Sequence, residues 1–248
     1  MRENVSFSSN NAVCAAWHYQ PDGDPPFPTI VMAHGLGAIK EMRLDAYAER
    51  FMQAGYACLV FDYRHFGESE GEPRQLLDIR KQLQDWSAAI SYARQLPSAD
   101  SQKIVLWGTS LSGGHVLEVA ARHADVAAVI SQVPHLDGLA SLKLISPSRI
   151  LTLTLHGVYD MLRGWLGLSP HYVKSCAEPG QLALMTAPGE AQGYLSLVPP
   201  GQPFECRVAA RFALKIGLYS PARALRKLAM PILLQAGRND LTTPFQPA

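Results

Sequence analysis

Five short apolar runs, at residues 28–33, 57–61, 104–107, 126–131 and 231–236, narrow the folds open to this chain more than any other feature. A strand exposed on one face alternates apolar and polar side chains. A strand that is apolar throughout is covered on both faces. Between the runs lie segments of helical period. Leu44, Tyr47, Ala48, Phe51 and Met52 make one helix face, with Gly55 as its stop. Ile79, Leu83, Trp86, Ile90 and Ala93 line a second helix, which Asp78 can cap, and Val116, Leu117 and Ala120 mark a third. Strand–helix–strand alternation with such strands predicts an α/β fold, a mostly parallel central sheet with helices on both faces. Residues 5–19 are more polar and alternating, and predict an antiparallel edge hairpin that turns near Asn10-Asn11.

The rhythm breaks at residues 135–220. Leu151, Leu155, Val158, Leu162 and Trp165 have helical spacing, as do Phe204, Val208, Phe212 and Ile216, with Pro and Gly clusters between them. This predicts a helical insertion over 135–220, carried by a core formed from residues 1–134 and 221–248.

Composition excludes several classes of function. Lys plus Arg is 22 against 21 Asp plus Glu, a net charge of +1 without a basic stripe, which argues against nucleic acid as a partner. No run approaches the roughly 18 apolar residues of a membrane helix. The N-terminus lacks an apolar signal segment, so the expected location is the cytoplasm. Cys14, Cys58, Cys176 and Cys206 show neither CxxC pairing nor metal-ligand spacing, and read as buried thiols in a reducing compartment.

The chemistry lies at the ends of the strands. Gly108-Thr109-Ser110-Leu111-Ser112-Gly113-Gly114 follows one strand and opens a helix. A serine at such a sharp turn is held above the sheet with its Oγ exposed, and Ser110 is therefore the candidate nucleophile. The turn needs small residues two positions either side. Gly108 supplies one, and Ser112 stands where Gly-x-Ser-x-Gly has its second glycine. His34-Gly35-Leu36-Gly37 follows another strand and predicts an oxyanion loop, with the backbone N–H groups of Leu36 and Leu111 as the two donors. His34 itself reads as a bracing side chain. After the last strand, Asp240 in Gly237-Arg238-Asn239-Asp240 is the candidate acid that orients a catalytic imidazole, with Asp137 as the rival position.

Together with residues 61–71 after the second run, these motifs resemble the α/β-hydrolase superfamily. They are most similar to bacterial serine hydrolases of the dienelactone-hydrolase, serine-aminopeptidase and Xaa-Pro dipeptidyl-peptidase-like group. The resemblance implies hydrolysis of a carboxylester, thioester or amide through an acyl-enzyme, with neither metal nor organic cofactor. It also implies a cap over the site, and a scaffolding role for Arg64, Gly67 and Ser69. The partner expected is a small-molecule acyl substrate of modest polarity, since the cap is rich in Leu, Val, Ala and Tyr. The family pattern places a histidine some tens of residues after the acid, yet the last histidine here is His171. His115 reads as packing, and His135 and His171 as poor candidates for the base. The reading is a C-terminally truncated hydrolase whose last strand, last helix and triad histidine lie beyond Ala248. The alternative is a non-catalytic descendant that binds a ligand or partner through the same pocket.

Overall fold

The computed structural model describes residues 1–243, and residues 244–248 lie outside the described residues. The chain begins with β1 (Arg2–Ser9), β2 (Ala12–Tyr19), β3 (Phe27–Ala33), α1 (Leu44–Gln53), β4 (Ala57–Phe61) and α2 (Ile79–Gln95). It continues through β5 (Ala99–Thr109), α3 (Leu111–Ala120) and β6 (Ala128–Gln132). Next come α4 (Gly138–Leu142), α5 (Pro147–Trp165), β7 (Tyr172–Cys176), β8 (Ala183–Met185) and α6 (Glu190–Leu195). Finally β9 (Arg207–Ala209), α7 (Ala213–Ile216) and β10 (Ile232–Gln235) complete the described elements.

The central sheet has the order β1-β2-β4-β3-β5-β6-β10. β1 and β2 are the expected antiparallel hairpin, paired Ser9 to Ala12 around Asn10-Asn11, and all pairs from β4 through β10 are parallel. The apolar runs are explained by burial on both faces. Val31, Ala33, Leu59, Phe61, Ile104 and Leu106 join the core under α2 and α3. Their neighbours Ile30, Met32, Cys58, Val60 and Trp107 join the core under α1. Each such side chain removed from water stabilises the fold by roughly 1.5–3 kcal/mol. Asp78 caps α2 as the sequence predicts, accepting from Arg80 N at 3.0 Å and Lys81 N at 3.3 Å. β10 differs from its expected burial. It is the outermost strand among the described residues, and Leu233 and Leu234 are exposed.

The loop after β4 is a buried polar scaffold. Lys40 is fully buried, and its ammonium donates to Asp62 at 2.9 Å, Glu41 at 2.7 Å and Glu68 at 2.6 Å. Arg64 pairs with the buried Asp85 at 2.6 Å. Ser69 Oγ donates to the Asp62 carbonyl and accepts from Ala15 N, both at 2.8 Å. Gly67 has φ 53°, and a Cβ there would fall 2.2 Å from the Asp62 carboxylate. These contacts fix the loop against β2, α2 and the segment that follows β3.

The segment between β6 and β10 corrects the expectation of a purely helical insertion. It contains a second, three-stranded sheet, β8-β7-β9, beside α4 to α7. The supposed helical stripe from Phe204 to Ile216 is not one helix. Phe204 is irregular, Val208 lies in β9, Phe212 closes a 3-10 turn and Ile216 ends α7. Pairing of β9 to β7 claims Val208 and its two neighbours as extended chain. α5 forms as expected, but Leu151, Leu155, Val158, Leu162 and Trp165 point to solvent. Its opposite face is held instead. The buried Asp160 accepts from Arg211 Nε at 2.6 Å and from His171 N at 2.8 Å. Gly157 lets Leu214 approach to where a Cβ would be 2.8 Å away. None of the described helices is long and apolar enough to cross a membrane.

Candidate active site

β5 and α3 meet at Ser110, whose backbone has φ 56° and ψ −121°, a region costly for any residue with a Cβ. Its N–H donates to the Gln132 carbonyl at 2.9 Å, and its carbonyl accepts from His135 N at 2.9 Å, so the strand end of β6 holds the turn. Gly108 is required here because a Cβ would fall 2.3 Å from the Ser112 carbonyl oxygen. The departure at Ser112 is accommodated. Its side chain is fully buried and shares a hydrogen bond with the Tyr63 hydroxyl at 2.7 Å, which in turn accepts from Trp86 Nε1 at 2.8 Å.

The glycine-rich loop after β3 lies directly against this turn. A Cβ on Gly35 would be 2.8 Å from Ser110 Cβ and 3.2 Å from its Oγ. Gly37, at φ 64°, lies against the inserted segment, 2.9 Å from Ser175 Oγ by the same measure. Leu36 lines a cavity together with Ser110 and Leu111. Burial pushes the His34 imidazole down to about 3, so the ring is neutral at the loop's base.

That cavity measures about 670 Å3 and is mostly apolar, with Leu142, Ile145, Leu153, Met185, Phe212 and Ile216 among its walls. Arg149 and Glu190 bring two charged groups to its rim. Both are tied down. Arg149 donates to the Ala183 carbonyl at 2.7 Å, and Glu190 accepts from Ala187 N at 2.8 Å and from the Thr242 hydroxyl.

Asp240 follows β10 in a half-buried turn. Its Oδ1 accepts from Thr242 N at 2.8 Å and Thr243 N at 2.7 Å, and Oδ2 accepts from the Thr243 hydroxyl at 2.7 Å. Thr242 and Thr243 line the cavity, so the Asp240 loop borders the same space as Ser110. The rival Asp137 caps α4 through Ala140 N at 3.0 Å, and that bond holds its carboxyl below the usual range. No described histidine is hydrogen-bonded to the side chain of Ser110 or Asp240. His115 is fully buried between the Tyr219 hydroxyl at 2.8 Å and Gln82 Oε1 at 2.9 Å. His171 pairs with His156 at 2.6 Å. His135 lines the cavity, but its ring stacks on Tyr219 and its Nε2 faces the Tyr219 carbonyl at 3.3 Å. Among the described residues no three His, Cys, Asp or Glu side chains gather as a metal site.

Sequence reasoning missed Tyr194. Its hydroxyl donates to the Leu36 carbonyl at 2.8 Å and ties α6 to the loop after β3. A lone tyrosine 158 positions away carries no local signal of that contact.

Residues 12–163 match the family of X-Pro dipeptidyl-peptidases (S15 family). The chain belongs to that family. It is a member of the α/β-hydrolase superfamily, as its motifs implied, and its relatives make it a hydrolase by descent. It is similar to the quorum-quenching protein AidA of Acinetobacter baumannii (strain MDR-ZJ06), 48% identical over 97% of this chain and 79% of that protein. It is also similar to the polyketide transferase ATR5 of Stachybotrys chlorohalonatus (strain IBT 40285), 35% identical over 73% of this chain and 59% of that protein. In three dimensions it resembles the α/β hydrolase GrgF from Penicillium sp. sh18, with a TM-score of 0.84, 24% identity, and coverage of 98% of this chain and 82% of that one. At that identity the last likeness bears on the fold alone.

Proposed function

We propose that this protein transfers the acyl group of a small molecule through an acyl-enzyme on Ser110, cleaving a carboxylester, thioester or amide. The observation that carries the reading is the strained turn at Ser110, set against Gly35 and open to an apolar cavity of about 670 Å3. Leu36 and Leu111 border the cavity, and in this reading their backbone N–H groups stabilise the oxyanion of the tetrahedral intermediate. The inserted segment acts as a cap that seats an acyl chain of modest polarity and excludes water. Asp240 is the acid of this reading. This reading takes none of the described histidines near the site as its base: His115, His135 and His171 are bonded to groups other than Ser110 and Asp240, and burial makes His34 a weak base. A serine hydroxyl without a base is a weak nucleophile, so the chain alone turns over slowly. The name of one relative, a polyketide transferase, makes passage of the acyl group to an acceptor other than water the competing outcome.

The test is chemical rescue. Added imidazole should raise turnover of p-nitrophenyl decanoate by the 248-residue chain in a saturable manner. Ser110→Ala should remove that increment and leave only the free-solution reaction. Equal rates for Ser110→Ala and the parent would overturn the assignment. Turnover without imidazole that His135→Ala abolishes would place the base at His135.

A further inference from the structure

Cys176 ends β7, and Cys206 immediately precedes β9, the strand that pairs with β7. Ser175 N donates to the Cys206 carbonyl at 3.1 Å, which fixes the two backbones side by side. The two sulfurs lie 3.2 Å apart, and both thiols are free. A disulfide needs about 2.05 Å, so closure takes a movement of about 1 Å, within reach of side-chain rotation. The two sulfurs differ in access. Cys176 is buried and Cys206 is half-exposed. The other two cysteines, Cys14 and Cys58, are buried in the core of the main sheet.

We propose that Cys176 and Cys206 are a redox-active dithiol that closes to a disulfide when a hydroperoxide supplies the oxidant. Cys206, the accessible sulfur, attacks the peroxide. The O–O bond breaks, an S–O bond forms, and the sulfenic acid is left with one molecule of alcohol or water. Cys176 sulfur then attacks Cys206 sulfur, and the departing hydroxide takes the Cys176 proton as water. Two thiols lose two electrons, and the peroxide gains them. The bond closes a loop of 30 positions and joins the small sheet under the active-site loop. Ser175, next to Cys176, packs on Gly37, and Phe204, two residues before Cys206, packs at 6.0 Å on the Tyr194 ring that is bonded to Leu36.

The test does not depend on the assignment of Ser110. The folded 248-residue protein is treated with a slight excess of hydrogen peroxide, quenched, and mapped by mass spectrometry without reduction. The expected result is loss of two hydrogens and a peptide joining Cys176 to Cys206, reversed by dithiothreitol, with Cys14 and Cys58 still alkylatable after denaturation. The oxidised form should melt roughly 5–10 °C higher, as a cross-link closing a loop of this length implies. In Cys176→Ser, Cys206 should stop at a sulfenic acid that dimedone traps. Four intact thiols in the parent after treatment, or Cys206 oxidised to the sulfinic acid without joining Cys176, would overturn the proposal.

Discussion

The Tyr194 hydroxyl donates to the Leu36 carbonyl at 2.8 Å, so the inserted segment holds the peptide unit next to the Leu36 N–H in place. Removing that bond frees the loop without emptying its surroundings. Tyr194→Phe should lower imidazole-supported turnover about ten-fold, the effect of roughly 1.4 kcal/mol of lost positioning. The loss should fall on kcat, with KM for p-nitrophenyl decanoate little changed. A rise in KM alone would assign Tyr194 to substrate binding.

Ser110 sits at φ 56° and ψ −121°, a conformation that costs of order 1–3 kcal/mol for a residue with a Cβ and little for glycine. Ser110→Gly should therefore stabilise the protein while it abolishes rescue by imidazole. After the entropy that glycine loses on folding, about 1 kcal/mol should remain, a rise in Tm of roughly 2–4 °C. A lower Tm for Ser110→Gly than for the parent would show that the turn is relaxed.

Leu153 is buried on α5 and lines the cavity. Leu153→Trp should fill part of the apolar space and move the preferred substrate toward shorter chains. Turnover of p-nitrophenyl decanoate should fall at least ten-fold relative to p-nitrophenyl acetate. An unchanged ratio would mean that the acyl chain lies elsewhere.

Burial pushes His34 and His115 down to about 3, against 6.5 for an exposed ring. At pH 7.5 both folded and unfolded rings are neutral, and neither contributes a pH dependence. As pH falls below 6.5 the unfolded chain binds protons that the folded rings refuse, so stability is lost from there toward pH 3. Each such ring costs about 1.4 kcal/mol per pH unit inside that window. Urea midpoints measured at pH 7.5, 6.5, 5.5 and 5.0 should decline only below 6.5. His115→Gln should give a shallower decline. A decline in His115→Gln as steep as in the parent would contradict the neutral burial of that ring.

The central sheet was legible because burial on both faces leaves a continuous apolar run, and every parallel strand carries one. The sharp turn at Ser110 was legible because strand, small residues and helix follow one another within a few positions. Direction was not legible. The spacing of Leu151, Leu155 and Leu162 defines a face of α5, but Asp160 and Gly157 decide that the other face turns inward. The small sheet was missed because β8 and β9 have three residues each, too few for a period of two to register. The Tyr194–Leu36 bond joins positions far apart in sequence, and only folding brings them together.

The chain from Ser112 through Tyr63 to Trp86 ties the indole to the residue two places after Ser110. Trp86 is fully buried, so its fluorescence should be blue-shifted and protected from iodide along with that of the buried Trp17 and Trp107, whereas Trp165 is 73% exposed and should be quenched selectively. Chemistry at Ser110 that moves Ser112 alters the Tyr63 hydroxyl and the environment of the excited indole. The molecule thus holds an intrinsic optical reporter of the turn at Ser110, readable in stopped flow without a label.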